Sequence, residues 1–118
     1  MKARLSGSSD FQKVYRKGKR YEGFLMTAFV LPNCSSHHRL GITASRKALG
    51  KAVQRNRAKR LLKEAFRLEA RSLQTLRLSY DWVLNARART ASAKIVGVLA
   101  DFDGLLARVA SDEDAVDS

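Results

Sequence analysis

Residues 39–67 read RLGITASRKALGKAVQRNRAKRLLKEAFR, and the pattern changes part-way along. In Arg39 to Ser45, Leu40, Ile42 and Ala44 alternate with Gly41, Thr43 and Ser45. That period of two predicts a strand with one apolar face. Arg46 to Arg67 then holds nine cations (Arg46, Lys47, Lys51, Arg55, Arg57, Lys59, Arg60, Lys63 and Arg67) against one acid, Glu64. At about 100° per residue, Ala58, Leu61, Leu62, Ala65 and Leu68 share one face. Asn56, Lys59, Arg60, Lys63 and Arg67 share the opposite face, flanked by Arg55 and Arg57. The spacing predicts one helix from about Ala52 to Leu73, docked by its apolar side and charged on its outer side. A merely solvated face would mix signs as i,i+4 ion pairs, because clustered like charge repels itself. The cluster therefore points to a phosphate backbone as partner.

Outward from this block, Tyr80 to Ala86 (YDWVLNA) reads as the next strand. Upstream, Tyr21 to Leu31 reads as a strand that Pro32 ends, with alternate sets Phe24, Met26, Ala28, Val30 and Leu25, Thr27, Phe29, Leu31. Ser9-x-x-Gln12 is a capping box and Gly18 a C′ residue, so a short first helix is expected over Asp10 to Lys17. Phe11 and Tyr15, at i and i+4, share one of its faces. Thr90 or Ser92 is expected to cap a last helix with apolar residues Ile95, Val98, Leu99, Phe102, Leu105, Leu106 and Val109. The order helix, strand, strand, long helix, strand, helix implies an α+β fold: a small two-layer sandwich with a crossover around the basic helix. General statistics make such a crossover right-handed.

At 118 residues the chain is read as one domain over residues 1–110, with residues 111–118 an acidic, disordered tail. Net charge is +12, unevenly spread. Residues 1–100 hold 22 Lys and Arg against five acids; the last 18 hold Arg108 against six acids. Such a field suits nucleic acid better than a membrane, since no apolar stretch reaches spanning length and MKARLSGSSD lacks a signal-peptide core. A lone Cys34 excludes an internal disulfide and fits a reducing cytoplasm. His37 and His38 lie close to it in the polar loop Asn33 to His38, without the ligand count of a metal site. The five acids of residues 1–100 fall in different segments, and no Ser/His/Asp set, phosphate loop or Cys pair occurs. The polypeptide alone is expected to be a non-catalytic nucleic-acid-binding protein.

Gly41 to Phe66 resembles the signature of the bacterial ribonuclease P protein subunit. The resemblance is carried by Arg55-Asn56-Arg57 with Lys59-Arg60, and by the strand end Ser45-Arg46-Lys47. DFQKVYRKGKR (Asp10 to Arg20) looks like the family's N-terminal helix and DWVLNAR (Asp81 to Arg87) like its last strand, so the match runs from about Leu5 to Val109. Two departures are small: Ser-Arg-Lys stands where Ser-Lys-Lys is common, and NARART follows the last strand. The resemblance implies a sandwich like the second domain of a ribosomal small-subunit protein, with a left-handed crossover against the general statistics. It implies a cytoplasmic ribonucleoprotein endonuclease that removes the 5′ leader of precursor tRNA, its active site and Mg²⁺ ions on the RNA subunit.

Carried onto this chain, the resemblance makes Phe11, Tyr15 and, from the sheet, Phe29 a leader cleft. Asn56, Lys59, Arg60 and Lys63 would line its basic side, and Arg55 and Arg57 would contact the ribonuclease P RNA or fix the motif. Arg46, Lys47, Lys51 and Arg67 complete the RNA-binding set. Phe11 and Tyr15 could instead be packing residues, and Asn56 could bond local backbone. A ribosomal or general RNA chaperone protein of the same fold, which would not discriminate precursor from mature tRNA, is the alternative class. A helix-turn-helix DNA binder is disfavoured, because no short helix precedes the basic one at the required turn.

Overall fold

The computed structural model describes Leu5 and residues 7–117. In chain order the elements are α1 (Gly7–Lys17), β1 (Lys19–Glu22), β2 (Met26–Pro32), β3 (Arg39–Thr43), α2 (Arg46–Leu49), α3 (Ala52–Leu68), α4 (Ala70–Gln74), β4 (Tyr80–Ala86), a 3₁₀ turn (Ala88–Ser92) and α5 (Ile95–Asp117). The strands form one sheet in the order β1-β2-β4-β3. β1–β2 and β2–β4 are antiparallel, whereas β3 runs parallel to β4, so α2, α3 and α4 make the crossover between them. The α+β sandwich is as read from the sequence, with one more strand.

Alternation along the strands builds a core on each side of the sheet. On one face Met26, Ala28, Val30, Trp82 and Leu84 pack with Ala58, Leu62 and Ala65 of α3 and Val98, Phe102 and Leu105 of α5. Trp82 is fully buried there, with the rings of Phe102, Tyr80 and Phe66 at centroid distances of 5.6, 6.1 and 6.2 Å. On the other face Val83, Phe29 and Leu31 meet Leu5, Phe11 and Val14. This second core is small because a single helix, α1, and Leu5 before it cover that face among the described residues.

Several expected boundaries move, each for a tertiary reason. The run Tyr21 to Leu31 is a hairpin, broken at Gly23–Leu25 because the Asp101 carboxylate of α5 accepts from Phe24 N and Leu25 N. α1 starts at Gly7, which places Ser9 inside the helix instead of at its cap; Gly18 does follow its end, its N–H donating to the Val14 carbonyl at 2.8 Å. Ser45 caps α2, a helix absent from the sequence reading, by accepting from Ala48 N at 3.1 Å. Gly50, at φ +73°, ends it in a conformation that costs other residues more.

The long helix breaks at Glu69. Leu68 is consequently 47% exposed and not on the docked face, while Phe66 reaches the core beside Trp82. Neither Thr90 nor Ser92 caps α5. Thr90 is buried; its hydroxyl accepts from Arg87 N and donates to the Leu25 carbonyl. Ser92 Oγ donates to the Arg89 carbonyl. The acidic segment expected to be disordered continues α5 to Asp117. Asp112 accepts from Lys19 and Tyr21, Glu113 from Arg77 N, Leu78 N and Tyr80 Oη, and Asp114 from Arg77.

Candidate nucleic-acid interface

β3 is an edge strand, so α1 on one face of the sheet and α3 on the other overhang the same edge. Between them opens a groove of about 760 Å³ lined by Leu5, Phe11, Leu40, Gly41, Ile42, Val53, Asn56, Lys59, Arg60 and Lys63. One wall is apolar and aromatic; the other is the polar flank of α3. Phe11 can lie against β3 only because position 41 is glycine. A β-carbon there would come within 2.5 Å of Phe11 Cζ.

One helical turn from Phe11, Tyr15 meets Phe29 edge-on with ring centroids 4.8 Å apart. The Tyr15 hydroxyl donates to Asn85 Oδ1 at 2.9 Å, which also accepts from Thr43 Oγ1 at 2.6 Å. The Arg20 guanidinium lies 5.9 Å from the Phe29 centroid. Tyr15 remains 38% exposed, and Phe11 and Phe29 are half-buried. Rings fixed this way, beside cations, suit unpaired bases and their phosphates.

The ribonuclease P family model matches residues 1–110. The chain belongs to the bacterial ribonuclease P protein family.

The ribonuclease P protein component of Clostridioides difficile is 40% identical over 89 residues, 75% of each chain. The ribonuclease P protein structure from Thermotoga maritima superposes with a TM-score of 0.77 at 27% identity, covering 91% of this chain and 97% of that one. The Staphylococcus aureus one gives 0.76 at 28%, covering 90% and 94%. The chain is thus a ribonuclease P protein component, part of an RNA-processing endonuclease of tRNA processing, with the fold of the second domain of a ribosomal small-subunit protein.

Within this ribonuclease P protein the basic block divides between two flanks of α3. Asn56, Lys59, Arg60 and Lys63 share the groove with Phe11, while Tyr15 and Phe29 extend the aromatic side beyond its lining. Arg67 does not enter that groove. It lies in a second hollow of about 650 Å³ with Arg57, Arg60, Lys63 and Ile95. There it pairs with Glu64 at 2.5 Å, a bond that raises its pKa. Arg57 is tied down too: its Nε donates to the Ala91 carbonyl at 2.5 Å, fixing α3 to the 3₁₀ turn. Arg55 is half-buried, and its Nε–H is buried without an acceptor among the described residues. Arg46, Lys47 and Lys51 are exposed around α2 and the start of α3.

Sequence reasoning missed Asn85, Thr43, Arg20 and Val53. Asn85 left a signal: a polar residue inside the otherwise apolar run WVLNA. Its role emerges only from the β3–β4 register, which pairs it with Thr43. Arg20 lay next to a predicted strand, and nothing in the sequence related it to Phe29.

Asp81, a buried acid of β4, is paired with Arg39. Burial alone would raise the Asp81 pKa, but hydrogen bonds from Arg39, at 2.7 and 2.6 Å, and from Asn33, at 2.9 Å, prevail and lower it. Among the described residues no group of three His, Cys, Asp or Glu is gathered for a metal, and no helix is long and apolar enough to cross a membrane.

Proposed function

We propose that this protein binds the ribonuclease P RNA through the basic surface of α2 and α3 and holds the 5′ leader of precursor tRNA in the groove between α1, β3 and α3. The observation that carries the reading is the meeting of Phe11 with Asn56, Lys59, Arg60 and Lys63 across one open groove. Single-stranded bases stack on Phe11, Tyr15 and Phe29 while phosphates follow the α3 wall. Arg55, with its unused Nε–H, and the exposed Arg46, Lys47 and Lys51 contact the RNA subunit. Arg57 holds the motif in place through Ala91.

In this reading phosphodiester cleavage belongs to the RNA subunit together with its Mg²⁺. Among the described residues the groove presents cations and an amide but no carboxylate, a donor set that does not fit Mg²⁺, which seeks anionic oxygen. The protein's part is electrostatic and positional. Its cations reduce repulsion between two RNAs, and its leader contacts add affinity for precursor that mature tRNA cannot gain. Neutralising about five to eight phosphates gives a log–log salt slope near −4 to −7. The reading places the protein in the cytoplasm, with precursor tRNA and no DNA or membrane partner.

The test is cleavage of a 5′-extended precursor tRNA at low Mg²⁺ by a bacterial ribonuclease P RNA, with and without the protein. The expected result is a cut at the mature 5′ end that needs the protein. Unchanged cleavage by the RNA, with the protein still binding it, would reduce the reading to general RNA binding.

A further inference from the structure

Gly23, Phe24 and Leu25 form the β1–β2 turn, and all six of their backbone polar groups are engaged. Gly23 N donates to the Met26 carbonyl, and Phe24 N and Leu25 N donate to the two oxygens of Asp101, at 2.8 and 2.9 Å. The three carbonyls accept from Arg87, Arg89 and Thr90 respectively. The backbone is therefore fixed from α5 and from the segment after β4. Leu25 is buried, yet the Phe24 ring is 65% exposed. The Arg89 guanidinium covers one face, 4.1 Å from the ring centroid.

None of the bonds that shape this turn uses the Phe24 side chain, so the fold holds the ring outward without needing it. A ring on a pre-fixed backbone, with two side-chain torsions, loses little freedom when a planar group stacks on its open face. The surroundings select the planar group. Arg87 and Arg89 belong to the turn's own anchors, and both oxygens of Asp101 are occupied by backbone N–H groups. The 3₁₀ turn that carries Arg89 also carries Ala91, to which Arg57 is bonded. The Phe24 corner is thus joined through Ala91 to Arg57, on the flank of α3 away from Phe11, and none of Gly23, Phe24, Leu25 or Arg89 lines the leader groove.

The geometry points to Phe24, backed by Arg89, as a stacking platform for an unpaired base of the RNA subunit, an outward extension of the Arg57 side of α3. This inference rests on the proposed binding of the RNA subunit by the basic surface.

The test is binding of a bacterial ribonuclease P RNA alone, without precursor tRNA, across a salt series. The proteins are wild type, Phe24→Ala, Phe24→Leu and Phe24→Trp, with thermal melts confirming that each is folded. Trp82 is fully buried, so Phe24→Trp adds an exposed indole that reports stacking as fluorescence quenching. Loss of one stacked base weakens binding about tenfold in Phe24→Ala and Phe24→Leu. Phe24→Trp is expected to retain affinity and to be quenched by the RNA. The salt slope stays at the wild-type value in all three, because no phosphate contact is removed. Wild-type affinity in Phe24→Ala overturns the platform and leaves the basic-surface reading standing. Wild-type affinity in Phe24→Leu alone overturns stacking in favour of a plain apolar contact. Failure of the wild-type protein to bind the RNA removes the reading beneath and the platform with it.

Discussion

The ring of Phe11 rests on Gly41, with Cζ and Cε2 only 2.5 and 2.9 Å from where a β-carbon would stand. Gly41→Ala is therefore expected to push the ring off β3 without touching any charge. Precursor tRNA affinity should fall by about 1 kcal/mol, the lower end for one stacked base, while mature tRNA affinity holds. Paired anisotropy titrations with the two RNAs check this; an equal loss for both would remove Phe11 from the leader contact.

Arg57 serves the fold as well as the charge, through its bond to the Ala91 carbonyl. Arg57→Lys keeps the charge but not the planar donor set. It is expected to lose about 1 kcal/mol of stability while retaining the salt slope of RNA binding; Arg57→Ala should lose the stability and lower the slope by about one. Urea unfolding and a salt series separate the two effects.

His38 sets a pH dependence. Its Nδ1 accepts from Tyr80 N and from Trp82 Nε1, each at 3.1 Å, so Nε2 must carry the proton that bonds the Leu73 carbonyl at 3.0 Å. Burial first of all drives its pKa below the usual 6.5, against the upward pull of the Leu73 carbonyl and Glu113. The folded state favours the neutral ring. Its stability is fully present above about pH 6.5, the unfolded value, and is lost as pH falls through the lower folded value. The Asp81 carboxylate adds a second loss at more acid pH, below about 4, where its unfolded form begins to protonate. His38→Ala is expected to abolish the upper branch and to cost about 1–3 kcal/mol by stranding two buried donors. Urea midpoints measured from pH 8 to 3 give both branches.

The acidic end of α5 acts as a clasp, with Glu113 bonded to two backbone N–H groups and the Tyr80 hydroxyl, and Asp112 bonded to Lys19 and Tyr21. Burial and these carboxylates push both tyrosine pKa values up. Glu113→Gln should lower stability by about 1 kcal/mol, and truncation after Ala110 by more, with RNA cleavage retained under stabilising conditions. Calorimetry with cleavage assays checks the pair.

How much was legible follows from the kind of signal each element carries. β3, β4, α3 and the apolar face of α5 were readable because burial imposes periods of 2 or 3.6 on their sequences. β1 was not, since KRYE has little alternation of its own and owes its strand state to pairing with β2, Tyr21 opposite Ala28. The helix break at Glu69 was hidden because good helix formers continue through LEARSLQ. The clasp was hidden because an acidic run reads as solvated until Lys19 and Arg77, distant in sequence, are brought beside it.

The charge, the strand–helix–strand order around the basic block and the motifs that mark the family are legible in the residues alone. These are local properties, set by residue type and spacing. Spacing alone left open which of the cations face the groove, and packing fixes it. Helical spacing orders residues around α3 but leaves open where that circle meets its neighbours. The packing of Phe66 and Leu62 around Trp82 and Phe102 sets the rotation of α3. That rotation turns Asn56, Lys59, Arg60 and Lys63 toward Phe11, and Arg57 and Arg67 toward the other flank.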